Sequence, residues 1–147
     1  MEPVSVPARV SLVTLGVADV ARSTEFYERL GWPLSSASVP GEVSFFRTAG
    51  GLLAVWGAAE LAADMGAAAA APRPSRAVAL AVNCDSAEQV DEALATAAEA
   101  GATIVKGAGP THWGGYQGYF ADPDGHVWEI AHNPGWPIGA DGRPALP

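Results

Sequence analysis

Hydrophobic and polar positions along the chain fall into two kinds of pattern that follow one another in a fixed order. Residues 9–17 (RVSLVTLGV) are rich in valine and leucine and predict a strand. Asp19 then offers a helix N-cap, and Val20, Ser23, Phe26, Tyr27 and Leu30 recur at helical spacing until Gly31 supplies a stop. After Gly31-Trp32-Pro33, short extended stretches are predicted at 34–39, 43–48 and 52–56, separated by Pro40-Gly41 and Ala49-Gly50-Gly51. Residues 9–57 thus read as a βαβββ module.

Residues 58–75 are rich in alanine and end in Pro72 and Pro74, which predicts a short helix entering a connector. The earlier pattern then returns over 76–133. A strand at 77–83 leads to Asp85 as N-cap with Glu88 three residues on, and Val90, Leu94, Ala97 and Ala98 form an apolar stripe that stops at Gly101. Strands follow at 102–106, 116–121 and 126–132, with a turn expected at Gly107-Ala108-Gly109-Pro110. Laying Asp19 on Asp85 aligns the two halves and implies a duplicated module. The tail 134–147 is punctuated by Pro and Gly and predicts no regular element, although Trp136 and Ile138 give it an apolar pair with which to dock.

Composition narrows the function classes. At 147 residues, 49% apolar and 16% charged, with 17 Gly and 12 Pro, the chain predicts a single turn-rich α+β domain. Its formal charge of −8 disfavours a nucleic-acid partner and either serves solubility or suits a cationic ligand. The single cysteine, Cys84, excludes an intramolecular disulfide or a Cys-cluster zinc site and fits a reducing compartment. Neither a signal peptide nor a membrane-length apolar run is visible, so the cytoplasm is the expected location and no membrane partner is expected.

GVADVARSTEFYERLGW near the start and YFADPDGHVWEIAHNP near the end resemble the vicinal oxygen chelate superfamily, which contains glyoxalase I, bleomycin-resistance proteins and extradiol dioxygenases. Asp122-Pro123-Asp124-Gly125 within that signature has the chemistry of a tight turn, so neither aspartate is read as catalytic. The resemblance implies two βαβββ modules whose curled mixed sheets surround a cavity, with the helices outside, and a homodimer. It also implies four inward positions that hold a metal in metal-dependent members. Carried over singly, these are Leu12, Val78, Ala54 or Val55, and Glu129. One carboxylate among apolar side chains falls short of the three or four donors that a catalytic divalent ion takes, so neither a metal nor another cofactor is expected.

Strand parity with Glu129 inward places Leu12, Thr14 and Gly16, and Val78, Leu80 and Val82, around an apolar cavity. Phe46, Trp56, Trp113, Tyr116 and Glu129 are the candidate ligand-binding residues, suited to an aromatic or cationic small molecule. The leading expectation is a metal-independent binding protein of the glyoxalase/bleomycin-resistance type that sequesters a drug or metabolite. The alternatives are a lyase or isomerase using Glu129 with His112 or Tyr116 for acid–base work, and a metal-dependent glyoxalase- or dioxygenase-like enzyme.

Overall fold

A computed structural model describes residues 6, 8–66 and 78–147. The expectations for residues 67–77, including the end of the connector and the start of the second module, lie outside the described residues. In chain order the elements are β1 (Leu12–Val17), α1 (Val20–Arg29), β2 (Val43–Thr48), β3 (Gly51–Gly57), α2 (Ala58–Met65), β4 (Leu80–Asn83), α3 (Ala87–Ala100), β5 (Thr103–Pro110), β6 (Tyr116–Ala121) and β7 (Val127–His132). They form an α+β fold with two mixed sheets, ordered β1-β3-β2 and β4-β7-β6-β5. In each sheet the first strand of a module runs parallel to its last, which occupies an interior position.

The two sheets differ at one edge. The predicted strand at 34–39 is reduced to isolated bridges, Leu34 to Phe46 and Val39 to Val43, so the first sheet has three strands. Its counterpart β5 instead runs straight through the glycine-rich stretch expected to turn, reaching Pro110 by register shifts between Ile104 and Gly109. Bulges absorb the extra residues and keep the ladder.

Helix α1 starts as predicted, with the Asp19 carboxylate accepting from the Arg22 amide. Helix α3 does not. Its N-cap is Ser86, whose hydroxyl accepts from the Gln89 amide, while the Gln89 side chain reaches back to the Asp85 amide at 2.6 Å. Both Asp85 and Ser86 are good caps. The one-residue difference re-registers the two halves, so that Asp19 corresponds to Ser86.

Helices α1 and α3 pack on one face of the sheets, in keeping with helices outside a cavity; on the opposite face α2 covers only the Gly16 end of the first sheet, where Ala58 and Leu61 approach it. Helices α1 and α3 touch each other and merge the halves into one core. Tyr27 is central: its ring lies 5.8 Å from Phe46 of the first sheet and 6.1 Å from Trp128 of the second. Its hydroxyl donates to Asp122 at 2.6 Å and accepts from the Trp128 indole at 3.2 Å. Burial, with the Asp122 carboxylate beside it, pushes the Tyr27 phenol far up, so the hydroxyl stays protonated.

The Asp122–Gly125 turn is built as its composition predicts, and it also ties the modules together. Asp122 Oδ1 accepts from the amides of Asp124 and His126, and Asp124 accepts from the Ala18 amide at 2.8 Å and pairs with Arg22. His126 donates through Nε2 to the Gly16 carbonyl at 2.8 Å, which fixes its tautomer. The tail docks through Arg143, which donates to the Ala49 carbonyl at 3.0 Å, rather than through Trp136, which remains exposed. No helix among the described residues is long and apolar enough to cross a membrane.

Gly118 on β6 lies where Leu94 of α3 and the β5 backbone both crowd the strand. A Cβ there would lie 2.9 Å from the Lys106 carbonyl oxygen and would also meet Leu94. Gly118→Ala is therefore expected to cost about 2 kcal/mol through overpacking, read as a lower urea midpoint at unchanged m-value.

Candidate functional site

The open face of the second sheet carries a connected set of polar side chains. Tyr119 on β6 sits directly opposite Glu129 on β7, and Lys106 on β5 sits opposite Tyr119. Gln117, two residues along β6, shares that face because strand side chains alternate. The Gln117 amide donates to Glu129 Oε2, and the Tyr119 hydroxyl donates to the same oxygen at 3.2 Å. Lys106 donates to the Gln117 carbonyl oxygen at 3.2 Å, and its ammonium stands 6.0 Å from the centre of the Tyr119 ring. The order is thus ammonium to amide to carboxylate, with a phenol closing the other side.

Two electrostatic consequences follow. Burial and the neighbouring Glu129 carboxylate raise the Tyr119 phenol, so at neutral pH its hydroxyl is a donor to Glu129. Both donors fall on Oε2, leaving Oε1 of Glu129 with no hydrogen bond among the described residues. A half-buried, oriented carboxylate oxygen can accept from an N–H or O–H group of a ligand, or take a proton.

The residues expected at the site divide between the two faces. Glu129 is on the open face as predicted, and Trp56 shares the open face of the first sheet with Leu12 and Thr14. Tyr116 is not on the open face of its sheet. It lies an odd number of strand positions from Tyr119, so it faces α3, where its hydroxyl donates to Asp91 at 2.7 Å. Phe46 is 0% exposed in the core against Tyr27 and cannot line an open-face site. His112 and Trp113 are exposed in the loop before β6. The structure brings neither His112 nor Tyr116 into the hydrogen-bond network of Glu129; it brings Gln117 and Tyr119. Counting back from the five-residue turn 122–126 pairs Ala121 with Val127 and hence Tyr119 with Glu129, so the tyrosine that meets Glu129 could be read from the hairpin register.

The re-registered α3 cap also moves one of the four carried-over positions. Leu80 and Val82 pair with Trp128 and Ile130 on the helix side, whereas Ala81 and Asn83 flank Glu129 and Ala131 on the open face. The counterpart of Leu12 is then Ala79 rather than Val78, and Ala54, which pairs with Thr14 as Glu129 pairs with Ala81, is the counterpart of Glu129. The four positions hold Leu, Ala, Ala and Glu, a set that does not fit a divalent metal. Among the described residues no group of three or more His, Cys, Asp and Glu is placed to hold one.

This arrangement, two βαβ-containing halves with their last strands interior and a carboxylate on the final one, has close parallels. A model of the Glyoxalase/Bleomycin resistance protein/Dioxygenase superfamily matches residues 9–130. The chain belongs to this superfamily. It is 37% identical to a glyoxalase-related enzyme from Fulvimarina pelagi, covering 95% of this chain and 98% of that one at a TM-score of 0.84. A glyoxalase/bleomycin resistance protein/dioxygenase from Nocardioides is 29% identical over 88% of this chain and 85% of its own, with a TM-score of 0.69. A superfamily enzyme from Burkholderia phytofirmans PsJN shares the fold at 24% identity and a TM-score of 0.75, covering 85% of this chain and 98% of that one. No curated protein is similar to the chain.

Proposed function

We propose that this superfamily member is a metal-independent binding protein for a small organic molecule carrying an N–H or cationic group, with Glu129 as its anchor. The observation that carries the reading is the state of Glu129. Gln117 and Tyr119 hold Oε2 while Oε1 is left with no partner among the described residues, and the other three superfamily metal positions hold no donor. Such a carboxylate orients a ligand by a charge-assisted hydrogen bond. Lys106, acting on Gln117, favours the orientation in which the amide donates to Glu129. The apolar body of the ligand would need a second wall. Leu12 and Leu52 on the open face of the first sheet are 42% and 44% exposed, and a second copy of the chain laid against such a surface would supply that wall, as the superfamily resemblance implies.

A second reading as an enzyme draws on the Fulvimarina neighbour, which is described as a glyoxalase-related enzyme. Here Glu129 Oε1 would accept a proton from the substrate while Tyr119 and Gln117 stabilise the carboxylate form; neither His112 nor Tyr116 takes part.

The test is metal analysis of protein purified without chelator, followed by a thermal-shift screen of aromatic amines. No stoichiometric zinc, iron or nickel is expected. At least one amine should raise the melting temperature, and Glu129→Gln should weaken its binding by about tenfold or more, the worth of one charge-assisted bond. Stoichiometric metal that disappears with Glu129→Gln would sink the proposal. Turnover of a bound amine that is lost in the same variant would establish the enzyme reading instead.

A further inference from the structure

A cleft of about 430 Å³ lies where the two modules meet, between β1 and β4, which are the edge strands of their sheets. It adjoins the open faces, from which Leu12, Leu52, Ala81 and Asn83 reach its rim, but Glu129, Gln117 and Tyr119 are not among its lining. Much of its wall comes from the helix-side parity of the strands, with Val13 and Leu53 from one module and Leu80 and Val82 from the other. Trp32 and Trp128 also line it, meeting edge to face with centroids 5.3 Å apart.

The polar side chains at this cleft invert the charge of the molecule. The chain has sixteen acidic and eight basic residues, yet the lining includes Arg47 and Arg143 and no acidic residue. Arg143 is oriented from two sides: its Nε donates to the Ala49 carbonyl at 3.0 Å, and its backbone amide donates to Asp141 at 3.1 Å. The remaining guanidinium nitrogens have no partner among the described residues. The Arg47 side chain, on the neighbouring hairpin, makes no hydrogen bond or ion pair among them either. Two guanidinium groups and no carboxylate thus line one cleft on a chain of net charge −8.

We infer that this cleft is a second binding site, which takes a small amphipathic carboxylate: a one- or two-ring apolar body against Trp32 and Trp128, with its carboxylate at Arg47 and Arg143. The volume falls within the range of about 300–1,000 Å³ typical of small-molecule sites. Aromatic walls suit a planar body, and planar guanidinium forks match a carboxylate in geometry as well as charge. The inference does not depend on the Glu129 site, whose carboxylate would repel the same ligand.

Fluorescence titration with 2-naphthoate, against its neutral analogue 2-naphthamide, tests it, since two of the chain's five tryptophans, Trp32 and Trp128, line the cleft. Naphthoate is expected to change the tryptophan emission saturably and the amide to bind at least about tenfold more weakly. Arg47→Gln and Arg143→Gln should each weaken naphthoate by about tenfold, and Arg47→Lys should recover part of that loss. Urea midpoints of the variants separate lost binding from lost folding. Equal affinity for acid and amide, parent affinity in both glutamine variants, no saturable binding of naphthoate, or a loss of naphthoate binding that follows Glu129→Gln instead would overturn the inference.

Discussion

Asp122→Ala is expected to lower the unfolding free energy by about 3 kcal/mol, more than any surface substitution of similar size. The carboxylate is buried and serves both modules: Oδ1 accepts from the amides of Asp124 and His126, and Oδ2 accepts from the Tyr27 hydroxyl. Truncation strands a fully buried phenol and two turn amides without acceptors, so the loss is that of several unsatisfied donors rather than of one contact. Asp122→Asn keeps an acceptor for the turn amides and should cost about 1 kcal/mol, the net value of one weakened hydrogen bond. In a Tyr27→Phe background the cost of Asp122→Ala should shrink, because the stranded donor is gone. Urea unfolding of the parent, the three single variants and the double variant measures all three quantities, and an Asp122→Ala variant within 0.5 kcal/mol of the parent, roughly the range of neutral surface changes, would show that the turn does not hold the halves together.

Trp128→Ala is the second change with a large expected effect, about 4 kcal/mol, as for large aromatic truncations in a packed core. The indole stacks on Phe120 at 13° between planes, meets Trp32 edge to face, and donates to the Tyr27 hydroxyl. Because this one side chain touches rings from both modules, its loss should lower the midpoint of the whole chain. Far-ultraviolet circular dichroism and the fluorescence of the remaining tryptophans should move together in a single transition. Two separated transitions, with one half keeping the parent midpoint, would contradict a shared core.

Much of this architecture was legible in the sequence because it is local. The strands at 43–48 and 116–121 have the bounds their apolar runs suggest, and Asp19 caps the helix its position announces. The Asp122–Gly125 turn follows from the backbone preferences of its residues. What local pattern did not resolve was parity. Asp85 and Ser86 are adjacent and equally able to cap, and choosing between them decides which side chains of β4 face out. Tyr116 and Tyr119 stand three apart on one strand, so an odd step separates the residue that meets Glu129 from the one that meets Asp91. The cleft was further from reach, because Arg47, Leu80 and Arg143 come together only through the packing of segments distant in the chain.

The bonds that join Tyr27 to Asp122 and Gly16 to His126 span 95 and 110 positions of chain. Contacts at such separations close large loops and tend to set the folding rate. During synthesis, α1 therefore emerges with its central tyrosine unmatched, and the first module cannot complete its interior until residues 122–128 have left the ribosome. Most of the chain must therefore be made before the contacts that complete its first half can form.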